Sequence, residues 1–143
     1  MRLTVIMVLV LAMSAPLAHA GLKTEEETRK YADSIVAKAG EGETKEAFEL
    51  TKKHWPLSPD EIDNLAYQTE SQLKMAKARF GDMIGHEFIM EEKIGKSFVR
   101  YQYIVKFEKH AVRWMLIFYK PKDEWVLNMV SWDDQIQLLF GKN

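Results

Sequence analysis

The chain has 143 residues, a formal net charge of −1, 47% hydrophobic residues and no cysteine. A charge so close to balance argues against a nucleic-acid or polyanion partner, and the lack of cysteine removes both a disulfide framework and a lipid-attachment thiol. What is left is a length for about one domain, held together by its hydrophobic core alone.

Residues 1–20 have the parts of a secretory signal peptide: Arg2, an apolar run from Leu3 to Met13, Pro16, then Ala18-His19-Ala20 before Gly21. The apolar run is shorter than the roughly 20 residues a membrane span needs, and no second hydrophobic segment follows. Cleavage after Ala20 removes Arg2, takes the net charge from −1 to −2 and leaves residues 21–143 as a single domain without a membrane anchor. None of Asn64, Asn128 and Asn143 begins an Asn-x-Ser/Thr sequon, which with the absence of cysteine points to a bacterial periplasm.

Three helices follow. Thr24-Glu25-Glu26-Glu27 is a capping box, and Thr28, Ala32, Ile35, Val36 and Ala39 recur at helical spacing until Gly40 and Gly42 stop the element. The second helix, over residues 44–54, buries Ala47, Phe48 and Leu50 and ends at Trp55-Pro56, because the residue before proline avoids helical angles. Ser58-Pro59-Asp60-Glu61 starts the third and longest. Its stripe of Ile62, Leu65, Ala66, Thr69, Leu73, Ala76 and Phe80 runs to Gly81, read as a left-handed terminator, and predicts a helix lying across a sheet.

Four strands complete the chain, over residues 83–94, 98–107, 112–119 and 125–132, all rich in β-branched and aromatic side chains. Taking Gly95-Lys96 and Lys109-His110 as two-residue turns sets Tyr101 between Met90 and Phe118, and Tyr103 between Phe88 and Leu116. Alternation then gives a helix-covered face holding Ile84, His86, Phe88, Met90, Val99, Tyr101, Tyr103, Val105, Phe107, Val112, Trp114, Leu116 and Phe118. Trp125, Leu127 and Met129 join it from the last strand, with Asn128 kept off. The opposite face carries Glu91 across from Arg100 and Arg113 across from Trp132. It is also unusually apolar for a solvated surface, through Ile89, Ile104, Met115, Ile117 and Val130. Residues 135–140 read equally as a helical turn or a strand end.

Helices first and an antiparallel meander last define an α+β domain: three N-terminal helices packed on a curved four-stranded sheet. With its aromatic-rich final hairpin, Phe118-Tyr119-Lys120-Pro121-Lys122-Asp123-Glu124-Trp125, this order resembles the cystatin-like cone of the nuclear transport factor 2-like superfamily, and in particular its small secreted bacterial members. The resemblance implies a pocket between helices and the concave sheet face, and a dimer through the convex face. It implies no activity, since that superfamily holds enzymes, ligand binders and scaffolds alike.

The chemistry-bearing residues are sparse. His54, His86 and His110 are not at metal-ligand spacing, and Ser97 and Ser131 lack the glycines of a nucleophile elbow. His86 with Tyr101 or Tyr103 is the one combination that suggests an isomerase- or hydratase-like enzyme. No Asp falls on their side of the sheet and Glu92 lies at a hairpin end, so the acid–base pair is missing. The reading is therefore a non-catalytic exported domain without cofactor or metal. A small apolar molecule would sit among Trp55, Tyr67, His86, Tyr101, Tyr103, Trp114 and Trp125, and a second copy would pair through Ile89, Ile104, Met115, Ile117, Val130 and Trp132.

Overall fold

A computed structural model describes residues 21–141, so the signal-peptide reading of residues 1–20 lies outside the described residues. Three helices, α1 (Glu25–Gly40), α2 (Thr44–Thr51) and α3 (Pro59–Phe80), precede four strands, β1 (Met83–Ile94), β2 (Phe98–Phe107), β3 (Ala111–Tyr119) and β4 (Val126–Asp133). The strands form one antiparallel sheet in the order β1-β2-β3-β4, and the chain is α+β.

Both expected capping boxes form. Thr24 Oγ1 accepts from Glu27 N at 3.1 Å while the Glu27 carboxylate accepts from Thr24 N at 3.2 Å. Ser58 and Glu61 do the same at the start of α3, with Pro59 just inside it. These reciprocal bonds satisfy amide donors that a helix start leaves orphaned. Helix α2 has no side-chain cap and stops at Thr51, three residues short of expectation, where His54 N and Trp55 N turn back to the Thr51 carbonyl. Gly81 ends α3 at φ +90° and ψ −171°, an extended backbone with positive φ in place of the left-handed turn expected; a side chain would strain it.

The helix against the sheet is α1, which runs along β1, β2 and β3, whereas α3 packs chiefly on α2. Side-chain size explains the choice. The buried face of α1 includes Ala32, Ala39 and Gly40, and a Cβ on Gly40 would stand only 3.0 Å from the Cβ of His86 and 3.1 Å from the Gly85 carbonyl carbon. Small residues let the helix approach closely. The space left is filled by Tyr101, Tyr103, Trp114, Leu116 and Phe118 below and Ile35, Val36, Phe48, Ile62 and Leu73 above.

The registers depart from expectation in three places. The first turn has three residues, so Ile94 pairs with Phe98, Glu91 with Tyr101 and Glu92 with Arg100, in place of Glu91 with Arg100. A bulge at Ile89 then restores the expected Phe88–Tyr103 pair, and a second at Ile84 leaves that residue exposed. Met90 pairs with Gln102 and so leaves the helix-facing side. In the second hairpin Tyr103 pairs with Trp114 and Tyr101 with Leu116, two residues from the expected register. A shift of two keeps every side chain on its predicted face.

The third departure moves side chains between faces. A bulge at Asn128 follows the Phe118–Leu127 pair, after which Ile117 pairs with Met129, Leu116 with Val130, Trp114 with Trp132 and Arg113 with Asp133. Asn128 stays exposed as expected, but one extra residue inverts everything beyond it. Met129 is thereby exposed on the outer face, while Val130 and Trp132 pack against the core. The exchange partly buries an indole and a valine in place of one methionine. The open reading of the tail resolves as a 3-10 turn over Ile136–Leu139 that folds back against β3.

Candidate functional site

The seven residues expected around one pocket do not converge. Tyr101, Tyr103 and Trp114 are fully buried and are part of the packed core; Tyr67 is 72% exposed on α3, and His86 is exposed on edge strand β1 opposite Val105. Trp55 and Trp125 are buried and meet beneath a shallow hollow of about 270 Å³ that also touches Gly21 and Glu124.

The two tyrosine hydroxyls fasten α1 to the sheet. Tyr101 donates to the Glu25 carbonyl at 3.0 Å and stands 2.8 Å from the Thr28 hydroxyl. Tyr103 donates to Asp33 Oδ1 at 2.6 Å, and that same oxygen accepts from Arg29 Nε at 2.8 Å. The Arg29 guanidinium in turn lies 3.3 Å above the Phe88 ring. Burial raises both phenol pKa values, so Tyr101 and Tyr103 are neutral donors. No strand carries an aspartate beside these tyrosines, which is all that alternation along the sheet can reveal; Asp33 arrives from α1. With His86 in solvent and both hydroxyls engaged by α1, the proposed imidazole–phenol pair is not assembled.

A second hollow, of about 350 Å³, lies between the C-terminal half of α3 and the margin of the sheet where β3 starts and β4 ends. Its walls include Gln72, Phe80, His110, Val112 and Trp132, and Asp133 and Asp134 sit at its rim. The Phe80 and His110 rings stack at 4.1 Å with an interplanar angle of 21°, fixed from behind by a bond of 3.0 Å from Lys109 N to the Phe80 carbonyl. Trp132 reaches this wall only because of the Asn128 bulge. In the ladder it faces Trp114, whose indole Nε1–H is buried and has no hydrogen-bond partner among the described residues. An orphaned donor of this kind costs about 1–3 kcal/mol.

The outer face is more polar at its centre than expected. The Glu92 carboxylate accepts from Arg100 Nε at 2.7 Å and from Gln102 Nε2 at 2.9 Å, Gln102 Oε1 accepts from Arg113 at 3.3 Å, and Arg113 makes two bonds to Asp133, at 3.0 and 2.6 Å. This chain of bonds crosses all four strands. Gln102 and Arg113 are only 2% and 7% exposed. The Arg113 hydrogen bonds hold the Asp133 carboxyl below its ordinary range. Beside the Glu92–Arg100 pair, an apolar hollow of about 290 Å³ is lined by Ile94, Phe98 and Ile117. Of the residues expected to meet a second copy, Ile104, Met115 and Ile117 are half-buried on this face and Ile89 is half-buried at its bulge. Val130 and Trp132 have moved to the other side.

Among the described residues no group of three or more His, Asp and Glu side chains is placed to hold a metal ion, and no helix is long and apolar enough to cross a membrane. The chain matches no family model, no curated protein and no solved structure.

Proposed function

We propose that the protein is an exported, non-catalytic binding domain with a cystatin-like architecture, which takes a small, largely apolar molecule in the hollow between α3 and the β3–β4 end of the sheet. The observation that carries this reading is the aromatic wall of the hollow, where the Phe80 and His110 rings stack at 4.1 Å and Trp132 stands half-buried beside them. A ligand offering aromatic or aliphatic surface to Phe80, His110 and Trp132 would stack on that wall. Native mass spectrometry of the protein purified from its own source is the test. Extra mass that disappears on denaturation, and is absent from an Ala76→Trp variant with the hollow filled, supports the reading; bare protein throughout overturns it.

A second reading, association of two copies through the outer face, is favoured by the tip of the β1–β2 hairpin. Ile94 is 76% and Phe98 36% exposed there, flanking the apolar hollow. Its contact set is Ile94, Phe98, Ile104, Met115, Ile117 and Met129. Light scattering decides it: a dimer that Ile117→Lys converts to monomer is the expected result, and an unchanged mass for both proteins removes the idea.

A further inference from the structure

The first described residues are built into the fold. Leu22 is buried and forms an antiparallel bridge with Trp125, its carbonyl accepting from Trp125 N at 2.7 Å. On the other side Lys23 N donates to Glu27 Oε2 at 2.6 Å, at the start of α1. Gly21 is therefore positioned by the residues that follow it. It lies against Glu124: a Cβ built on Gly21 would overlap both oxygens and the carbon of that carboxylate. Glu124 is exposed at the edge of the 270 Å³ hollow, and among the described residues no cation pairs with it.

We infer that Glu124 is the built-in counter-ion for the α-ammonium group that processing after Ala20 leaves on Gly21. The inference rests on the export reading above. Hydrolysis by an export peptidase breaks the Ala20–Gly21 amide; water supplies the hydroxyl to the Ala20 carbonyl carbon and a proton to the Gly21 nitrogen. At neutral pH the new Ala20 carboxyl gives up its proton and the Gly21 amine gains one. A neutral amide nitrogen thus becomes a unit positive charge, one covalent bond from a Cα that already abuts a carboxylate. The cut would supply a charge the unprocessed chain lacks, at the position where an unpaired acid waits. It would also secure the Leu22–Trp125 bridge, since the two pairings are adjacent along both chain segments.

The test uses the chain beginning at Gly21, released from a removable tag and labelled with ¹³C at glycine. The α-amino group titrates about half a unit to one unit above its ordinary value of roughly 7.7–8.0, and returns to that value in Glu124→Gln. The melting temperature should fall by about 1–4 °C when the pH is raised from 7 to 10, beyond any fall in Glu124→Gln. Acetylating the terminus while keeping Glu124 should give the same loss at pH 7. Identical α-amino titration in wild type and Glu124→Gln overturns the pairing. Terminal sequencing of protein from its own source should begin at Gly21; any other start overturns the processing on which the inference rests, whatever the titration shows.

Discussion

The Tyr103 hydroxyl donates to Asp33 at 2.6 Å, tying the middle of the sheet to the middle of α1 by a bond whose two ends see different surroundings. Tyr103 is fully buried, whereas the Asp33 side chain is 44% exposed. Unequal solvation makes the pair asymmetric to mutation. Tyr103→Phe leaves an aspartate that water and Arg29 still satisfy and should cost about 0.5–1.5 kcal/mol, while Asp33→Ala strands a buried hydroxyl and should cost about 1–3 kcal/mol. Urea unfolding of the two variants measures the order.

The Arg113–Asp133 pair sets an acid limit. The folded pKa of Asp133 is lowered, chiefly by the Arg113 hydrogen bonds, so its contribution is complete above the ordinary carboxylate value and is lost as the pH falls through the folded value. Asp133→Asn should remove that part of the acid transition. Because Arg113 is nearly buried, the variant should also lose about 2–4 kcal/mol at neutral pH, from an arginine left without its counter-ion. Chemical denaturation between pH 2 and pH 7 would separate the two effects.

Alkali should act through the tyrosines. Burial raises the pKa of Tyr31, Tyr101 and Tyr103. A raised folded pKa means that stability is intact below the unfolded value of about 10 and is lost as the pH rises beyond it, since only the unfolded chain can ionise easily there. The share of the tyrosinate absorbance that comes from Tyr31, Tyr101 and Tyr103 should therefore rise together with loss of the near-ultraviolet circular dichroism signal. Ionisation of all three well before unfolding would contradict their placement.

The Asn128 bulge can be probed from either side. With it, Met129 is exposed and Trp132 packs on the core, so Met129→Ser should change stability by no more than about 0.5 kcal/mol and Trp132→Ser should cost about 2–3 kcal/mol. An unbroken β4 would reverse that ranking. Thermal melts of the two single variants are enough.

Most of the architecture was legible because it is signalled locally. Thr24 with Glu27 and Ser58 with Glu61 mark helix starts in a few residues, and the aromatic strands announce themselves by composition. The outer-face reading was only half legible. The bulges at Ile84, Ile89 and Asn128 lie in stretches of ordinary strand residues, and what selects them is the match between a whole strand and its neighbour. The inner face of β2 and β3 survived an error of two residues because parity was preserved, while a single inserted residue sent Trp132 to the opposite side. For the same reason the hollow beside α3 could not be foreseen, nor could Asp33, whose place depends on which helix lies lowest on the sheet.

All three interruptions fall on β1 and β4, and the ladder between β2 and β3 runs unbroken. The outermost strands are those whose free amides and carbonyls would otherwise template a neighbouring molecule. An incoming strand would find the spacing of donors and acceptors out of step at Ile84 and Ile89 on one margin and at Asn128 on the other. The same irregularities that moved side chains off their predicted faces thus make both margins of the sheet a poor match for an added strand, which disfavours sideways growth into a filament.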